Sequence, residues 1–217
     1  MRILIVVPRY QLNNSPNHQY LFPLGLGYIS AVLKKAGHDV DAINLNHAHG
    51  SISSLLNERL DSKTYDAVLT GHMGIGYAIV KTIVDCVKEH RTKPKSIVGG
   101  FVITPEPALM LESLGADCVC IGEAEQTIVE LISCLENGSD LSLVNGIGYM
   151  KENGEVVITK EREAISNLDE LPFPDFDGFG YETYLENTCS NLLQGYMTFD
   201  NPKVYPLIAS RDCPYKC

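Results

Sequence analysis

The sequence contains no apolar run of the roughly 18 residues that a membrane-spanning helix requires. Its apolar start at residues 3–7 is ended by Pro8 too early for a signal peptide, so neither secretion nor membrane insertion is expected. Basic residues are scarce: 17 lysines and arginines against 27 acidic residues give a net charge of −10, which argues against a general nucleic-acid-binding surface. The seven cysteines are an odd number without signs of secretion, which indicates reduced thiols in the cytoplasm.

Common nucleotide-binding motifs are also absent. The glycine-rich segment at residues 71–76 matches neither the dinucleotide-binding G-x-G-x-x-G pattern nor the Gly-Lys-Ser/Thr of a P-loop. The sequence has no internal repeat or low-complexity tract. With 217 residues, the chain is long enough for one or two domains with a substantial core.

Five strand-and-helix units follow one another over residues 1–142. The predicted strands lie at residues 2–7, 39–45, 67–70, 96–98 and 117–121. Among the predicted helices, the first begins at Pro23, the second is capped by Ser51, the fourth begins at Pro105 and the fifth ends near Gly138. This alternation predicts an α/β fold with a flavodoxin-like, doubly wound, five-stranded parallel sheet of order 2-1-3-4-5. Ligands are expected at the carboxyl ends of its strands.

The pattern changes after residue 142. Residues 143–166 are predicted to form a β-hairpin extension around the turn Asn153-Gly154. Residues 167–203 contain repeated prolines and are predicted to be a linker whose Leu and Phe side chains pack back on a surface. An apolar strand at 204–210 then leads to Cys213 and Cys217. Two thiolates in this C-x3-C spacing can face one soft metal centre, such as an iron–sulfur cluster, zinc or copper(I).

The predicted loops at the strand ends each allow a functional and a structural interpretation. The glycines Gly99 and Gly100 would let a flat ligand approach the backbone, or they form an ordinary strand–helix turn. His72 is a ligand contact or a plain loop residue. Glu123 and Glu125 are site carboxylates, or they interact with the dipole of the following helix.

The remaining histidines and cysteines carry weaker signals. The His47-Ala48-His49 pair has metal-binding character but no apparent third ligand, so a solvated loop is favoured. Four cysteines on predicted strands and helices are interpreted as small buried hydrophobic residues, namely Cys86, Cys118, Cys120 and Cys134. Cys189 has no partner spacing and is unassigned.

Four local matches in this order make the chain resemble the N-terminal part of a cobalamin-binding-domain radical S-adenosylmethionine (SAM) protein. They lie at residues 23–29 (PLGLGYI), 99–100 (GG), 122–125 (GEAE) and 171–174 (LPFP), followed by 210–217 (SRDCPYKC). The resemblance implies that Cys213 and Cys217 are the first two ligands of a 4Fe-4S cluster that binds SAM. The third cysteine would come three residues after Cys217, so the chain is expected to be truncated inside a C-x3-C-x2-C motif, without its radical SAM barrel.

The resemblance also implies a cobalamin cofactor at the carboxyl ends of the strands. The implied cofactor-binding residues are Pro8, Arg9, Tyr10, Gly71, His72, Met73, Gly74, Gly99, Gly100, Phe101, Val102, Gly122 and Glu123. The loop at residues 8–13 lacks the D-x-H-x-x-G motif, so no histidine below the cobalt is expected. Two alternatives stay open: a domain that docks substrate or the barrel without binding cobalamin, and a free-standing flavodoxin-like binding domain. A cysteine codon three positions after Cys217 would exclude the last.

The resemblance assigns no catalytic residue to this part of the protein, which is expected to be inert alone. Methyl transfer is the activity that it implies for the full-length enzyme. The start of the radical SAM domain at residues 204–217 would lack its neighbouring strands. Its strand is therefore expected to be disordered or to pair with another edge, for example in a homodimer.

Overall fold

The computed structural model describes residues 1–10, 20–72, 76–151, 153–186 and 203–211. Its strands are β1 (Arg2–Val7), β2 (Asp39–Asn44), β3 (Ala67–Gly71), β4 (Lys95–Gly99), β5 (Cys118–Cys120), β6 (Ile147–Met150) and β7 (Val156–Ile158). Its helices are α1 (Leu24–Lys35), α2 (Ile52–Ser62), α3 (Tyr77–Glu89), α4 (Pro107–Leu114), α5 (Glu125–Asn137) and α6 (Tyr181–Glu186). Five residues singled out in the sequence lie outside the described ranges: Met73, Gly74, Cys189, Cys213 and Cys217.

The strands form one sheet of order β2-β1-β3-β4-β5-β6-β7. Strands β1 to β5 are parallel, which confirms the predicted α/β fold and its 2-1-3-4-5 order. The predicted hairpin continues this sheet, since β6 pairs antiparallel with β5 and β7 pairs antiparallel with β6. The hairpin therefore covers the β5 edge, which would otherwise expose unpaired backbone groups.

Helices cover both faces of the sheet, as expected for strands that are apolar on both sides. Helices α1 and α5 pack with one face of β1, while α2 and α3 pack on the other. Helix α4 lies beside α3 over β4 and β5. The central strand β1 is buried along almost its whole length, with residues Ile3 to Val6 fully inaccessible.

The ends of the helices follow local chemistry. The Ser51 hydroxyl accepts a hydrogen bond from the Ser54 amide at 3.1 Å, which confirms the predicted cap of α2. Gly138 adopts a left-handed conformation (φ 63°) and ends α5 as expected. Helix α4 begins at Pro107 and not at Pro105, because the preceding residues form turns in which the Gly100 carbonyl accepts from the amides of 103 and 104.

The linker packs against the domain through a cluster of aromatic rings. Phe179 and Tyr184 are 1% and 2% exposed, and the Tyr184 ring lies 5.3 Å from that of Tyr20. The Phe176 ring stacks on Phe22 at 5.2 Å. These contacts confirm that apolar side chains of the linker pack back on the domain.

Residues 203–211 form no strand, in contrast to the strand expected at 204–210. Single side chains hold the segment to the linker instead. The Tyr205 ring lies 4.9 Å from Phe176, and the Tyr181 hydroxyl donates to the Val204 carbonyl at 2.7 Å. A strand requires a neighbouring strand for its backbone hydrogen bonds, and no described strand lies beside this segment.

Asp175 attaches the linker to α1. Its carboxylate accepts from the Ser30 hydroxyl and the Lys34 ammonium, each at 2.6 Å, and from the Gly178 amide at 3.1 Å. Burial alone would raise the pKa of Asp175, but the hydrogen bonds from Lys34, Ser30 and Gly178 outweigh it and lower that pKa below its ordinary value.

We expect Asp175→Asn to lower the free energy of unfolding by about 1–2 kcal/mol at pH 7, since the amide loses charge-assisted hydrogen bonds. A carboxyl whose pKa is lowered in the folded state stabilises the fold above its unfolded pKa, and this stabilisation disappears as pH falls through the folded pKa. The difference between variant and wild type in urea unfolding should therefore shrink in acid. Asp169→Asn, at an exposed site in the same linker, is the control; an equal loss there would contradict this role for Asp175.

Candidate functional site

The loops after β1, β3, β4 and β5 meet at the carboxyl edge of the sheet. We call these residues the carboxyl-edge loops: 8–10, 71–72, 99–102 and 122–123. Strands β3 and β4 end at the same level, because Gly71 pairs with Gly99 in the parallel register. The structure thus brings together the described residues of four loops that lie far apart in the sequence.

Two of these loops approach backbone to backbone, and only glycine fits between them. A Cβ on Gly71 would lie 2.8 Å from the Gly99 carbonyl oxygen, closer than such atoms approach in proteins. Gly100 has φ +85°, and a Cβ there would lie 3.1 Å from the His72 carbonyl oxygen. The same His72 carbonyl accepts from the Val102 amide at 3.0 Å. At these glycines, therefore, no side chain projects above the backbone, and a ligand can approach the backbone directly.

We call the backbone at Gly71, Gly99 and Gly100 the glycine-lined strip, and aromatic rings flank it. Phe101 is 68% exposed although it is a large apolar side chain, whereas its neighbour Val102 is 5% exposed. The rings of Tyr10 and His72 lie 6.3 Å apart and connect the loops after β1 and β3. A flat, partly apolar ligand would contact backbone at the glycines and a ring at Phe101.

Arg9 lies in these loops, but its side chain faces the interior. It is fully buried and donates to the carbonyls of Leu45, Ala48 and Gly50 at 2.8, 2.7 and 2.9 Å. Burial lowers the pKa of Arg9 from its ordinary value. Pro8 beside it is also buried, so this loop offers Tyr10 and not Arg9 to the surface. This orientation was not recognisable in the sequence, because the accepting carbonyls lie 36 to 41 residues away.

A second polar contact involves His47. Its Nε2 lies 2.6 Å from the Tyr20 hydroxyl, and Asn44 Nδ2 donates to the same hydroxyl at 3.0 Å. Burial raises the pKa of Tyr20 above its ordinary value, so this hydroxyl stays protonated. His47 therefore joins the aromatic cluster of the linker and does not lie in a solvated loop, whereas His49 is exposed.

The cysteines in the described part of the chain are core residues. Cys86, Cys118, Cys120 and Cys134 are buried with free thiols, which confirms their interpretation as small hydrophobic residues. Burial raises the pKa of Cys118 and of Cys120 to about 12, so both thiols stay protonated. The described residues contain no group of three or more His, Cys, Asp and Glu side chains placed to hold a metal.

The two carboxylates at the start of α5 bind an arginine from the far end of the chain. Glu123 Oε1 accepts from Arg211 Nη1 at 2.9 Å, and Glu125 accepts from Arg211 Nη2. The Ile165 amide donates to the second Glu123 oxygen at 2.6 Å. Burial would raise the pKa of Glu123, but the hydrogen bond from Ile165 and the Arg211 charge outweigh it and lower that pKa. An interaction of these carboxylates with the helix dipole was the simpler expectation, and sequence spacing gave no indication of this ion pair.

No helix within the described ranges is both long and apolar enough to cross a membrane.

Comparison with protein-family models gives a match to the B12 binding domain over residues 17–132. An uncharacterized methyltransferase of Pyrococcus horikoshii is 28% identical over 201 residues, which cover 90% of this chain and 39% of the relative. The anaerobic magnesium-protoporphyrin IX monomethyl ester cyclase of Rubrivivax gelatinosus is 26% identical over 224 residues, covering 100% of this chain and 38% of the relative. The chain thus spans about two fifths of the length of these curated relatives.

Among solved structures, the fold is similar to that of the cobalamin-dependent S-adenosylmethionine radical enzyme OxsB with aqua-cobalamin and S-adenosylmethionine bound. The TM-score is 0.66 at 22% identity, and the match covers 84% of this chain and 25% of that one. At this identity the likeness supports the fold, including the α/β core that carries the carboxyl-edge loops.

Proposed function

The chain belongs to the B12 binding domain family, and from this premise we propose that it is the cobalamin-binding domain of a radical SAM enzyme. Cobalamin would lie over the carboxyl-edge loops. The glycine-lined strip between β3 and β4 is the observation that carries this proposal, because side chains at Gly71 or Gly100 would collide with neighbouring carbonyls. The corrin ring is broad and flat, so it can lie close to the backbone only where no side chains project from it.

The residues proposed to contact the cofactor follow from exposure. Gly99, Gly100, Phe101 and His72 provide the central surface, with Tyr10, Gly122 and Glu123 at its sides. Met73 and Gly74, which lie beyond the described residues, belong to the same proposal from the sequence alone. Residues 8–13, which follow β1, lack the D-x-H-x-x-G motif, so we propose that this loop supplies no lower ligand to cobalt.

For the whole protein we propose methyl transfer, with the substrate open. The Pyrococcus relative is named a methyltransferase, which supports this reaction class, and the other relative is named a cyclase. Bound cobalamin supplies a carrier for a methyl group in such chemistry. Cys213 and Cys217 remain proposed ligands of a 4Fe-4S cluster that binds SAM, as the resemblance of residues 210–217 to the start of a radical SAM cluster motif implies.

Titration of this chain with cobalamin tests the proposal directly. We expect a change in the visible spectrum that saturates, and co-elution of cobalamin with protein on gel filtration. Absence of both would overturn the cofactor assignment and favour a domain that only docks the barrel or the substrate.

A matched pair of variants tests where cobalamin lies. Phe101→Ala should weaken binding about tenfold, because an exposed ring that a ligand covers contributes roughly 1–2 kcal/mol. Phe173→Ala should leave affinity unchanged, since Phe173 is 86% exposed on the linker beside Ala31 and Lys34. Equal affinities for the two variants would place the ligand elsewhere.

A further inference from the structure

The segment 203–211 is attached to the domain at two places. At its start, Lys203 donates to the Leu185 carbonyl at 3.2 Å and Tyr205 packs on Phe176. At its end, Arg211 binds Glu123 and Glu125. Between these places the side chains are largely in solvent, with Leu207 66% exposed and Ile208 39% exposed.

The ion pairs of Arg211 are more buried, and have more partners, than a typical surface ion pair. The side chains of Arg211 and Glu125 are 18% and 7% exposed, and the guanidinium carbon lies 5.5 Å from the centre of the Tyr28 ring. The two carboxylates accept hydrogen bonds from different nitrogens of the planar guanidinium group, and the Tyr28 ring lies against that group. Lysine offers a single ammonium and cannot reproduce this arrangement.

The carboxylates are themselves positioned by the carboxyl edge. Gly122 has φ +71°, and its amide donates to the Thr104 hydroxyl at 3.3 Å. That hydroxyl in turn donates to the Gly100 carbonyl at 3.3 Å. Glu123 is therefore connected through Gly122 and Thr104 to the glycine-lined strip.

We propose that Arg211 is a positioning residue that fixes the end of segment 203–211 on the carboxyl edge through Glu123 and Glu125. Cys213 follows Arg211 by two residues, a reach of at most roughly 7 Å of extended chain. The docked arginine thus restricts where the C-x3-C sequence starts relative to the glycine-lined strip. The consequence for a cluster facing cobalamin rests on the proposed function, whereas the docking itself does not.

Backbone relaxation measured by NMR on the intact chain tests this docking. In the wild type we expect the residue 211 amide to have an order parameter near that of rigid backbone, about 0.85, and in Arg211→Gln a fall below about 0.6 over residues 207–211. Chymotrypsin cleavage after Leu207 should become at least about tenfold faster, because a segment held at one end opens more often. Arg211→Lys should recover only part of both effects.

Arg162→Gln is the matched control. Arg162 is also mostly buried, with 14% of its side chain exposed, and it pairs with Glu130 on the same helix α5. This variant should leave the order parameters of residues 207–211 and the cleavage rate after Leu207 unchanged. If Arg211→Gln instead matches the wild type in both measurements, or if Arg162→Gln releases the segment equally, the positioning role is overturned.

The two proposals fail in different ways. Both relaxation and cleavage are measured without cofactor, so a released segment in Arg211→Gln supports docking even if wild-type protein does not bind cobalamin. Conversely, tight cobalamin binding together with an undisturbed segment in Arg211→Gln would support the proposed function and contradict the positioning role.

Discussion

Gly100→Ala is expected to destabilise the chain by about 2–3 kcal/mol and to weaken cobalamin binding at least tenfold. The left-handed backbone at this position costs a non-glycine residue roughly 1–3 kcal/mol. The new Cβ would also lie 3.1 Å from the His72 carbonyl oxygen, so the loops after β3 and β4 have to separate. Because the proposed corrin surface consists of these two loops, their separation should reduce affinity as well as stability. Urea unfolding and cobalamin titration measure the two effects.

Gly154→Ala measures the backbone strain without the clash, so comparison with Gly100→Ala separates the two effects. Gly154 has φ +84°, almost the same as Gly100 at +85°, but a Cβ there meets nothing within 4 Å. It lies in the turn between β6 and β7, away from the carboxyl-edge loops. This variant should lose about 1 kcal/mol of stability from strain alone and no affinity for cobalamin. Similar losses of affinity in both variants would show that the glycine-lined strip is not the binding surface.

The second large effect concerns Arg9. Arg9→Met is expected to lower the free energy of unfolding by about 3–4 kcal/mol, because three carbonyls lose a charged donor and methionine recovers only the packing. The accepting residues Leu45, Ala48 and Gly50 belong to the loop after β2, so that loop should also become more sensitive to proteolysis. Urea unfolding at constant slope measures the loss.

A surface arginine provides the comparison. The side chain of Arg91 is 73% exposed and pairs with Asp61 at 3.4 Å, so Arg91→Met should change stability by less than about 1 kcal/mol. A loss of cobalamin affinity in Arg9→Met without a loss of stability would instead assign Arg9 to the cofactor contacts. A loss of stability confined to less than 1 kcal/mol would contradict its role in supporting the loop.

Much of the fold could be predicted from local sequence. The run at residues 2–7 is apolar throughout, and only a strand covered on both faces buries all of it. Ser51 and Gly138 mark helix ends because their cap geometries depend on one residue and its immediate neighbours. The start of α4 was misplaced because hydrogen bonds to the Gly100 carbonyl, and not the proline alone, decide where the turns end.

The candidate site could be predicted only in part. The glycines at 71, 99 and 100 were recognisable because a loop without side chains is visible in the sequence itself. The direction of the Arg9 side chain was not recognisable, since the sequence around an arginine after a strand is the same whether the side chain faces the interior or the surface. Phe101 was included as a neighbour of the glycines, and its exposure of 68% is a property of the folded loop.

By itself the sequence determined the element order, the parallel core and the carboxyl edge, because strand burial, helix caps and crossover handedness are local rules that repeat along the chain. Only the tertiary structure decided how distant polar groups pair. Arg211 and Glu125 are 86 residues apart, and Arg9 meets carbonyls from a loop after another strand. Such pairs depend on which surfaces the packed core brings within hydrogen-bond distance. A hydrogen bond is short and directional, but it places no limit on how far apart its partners lie in the sequence.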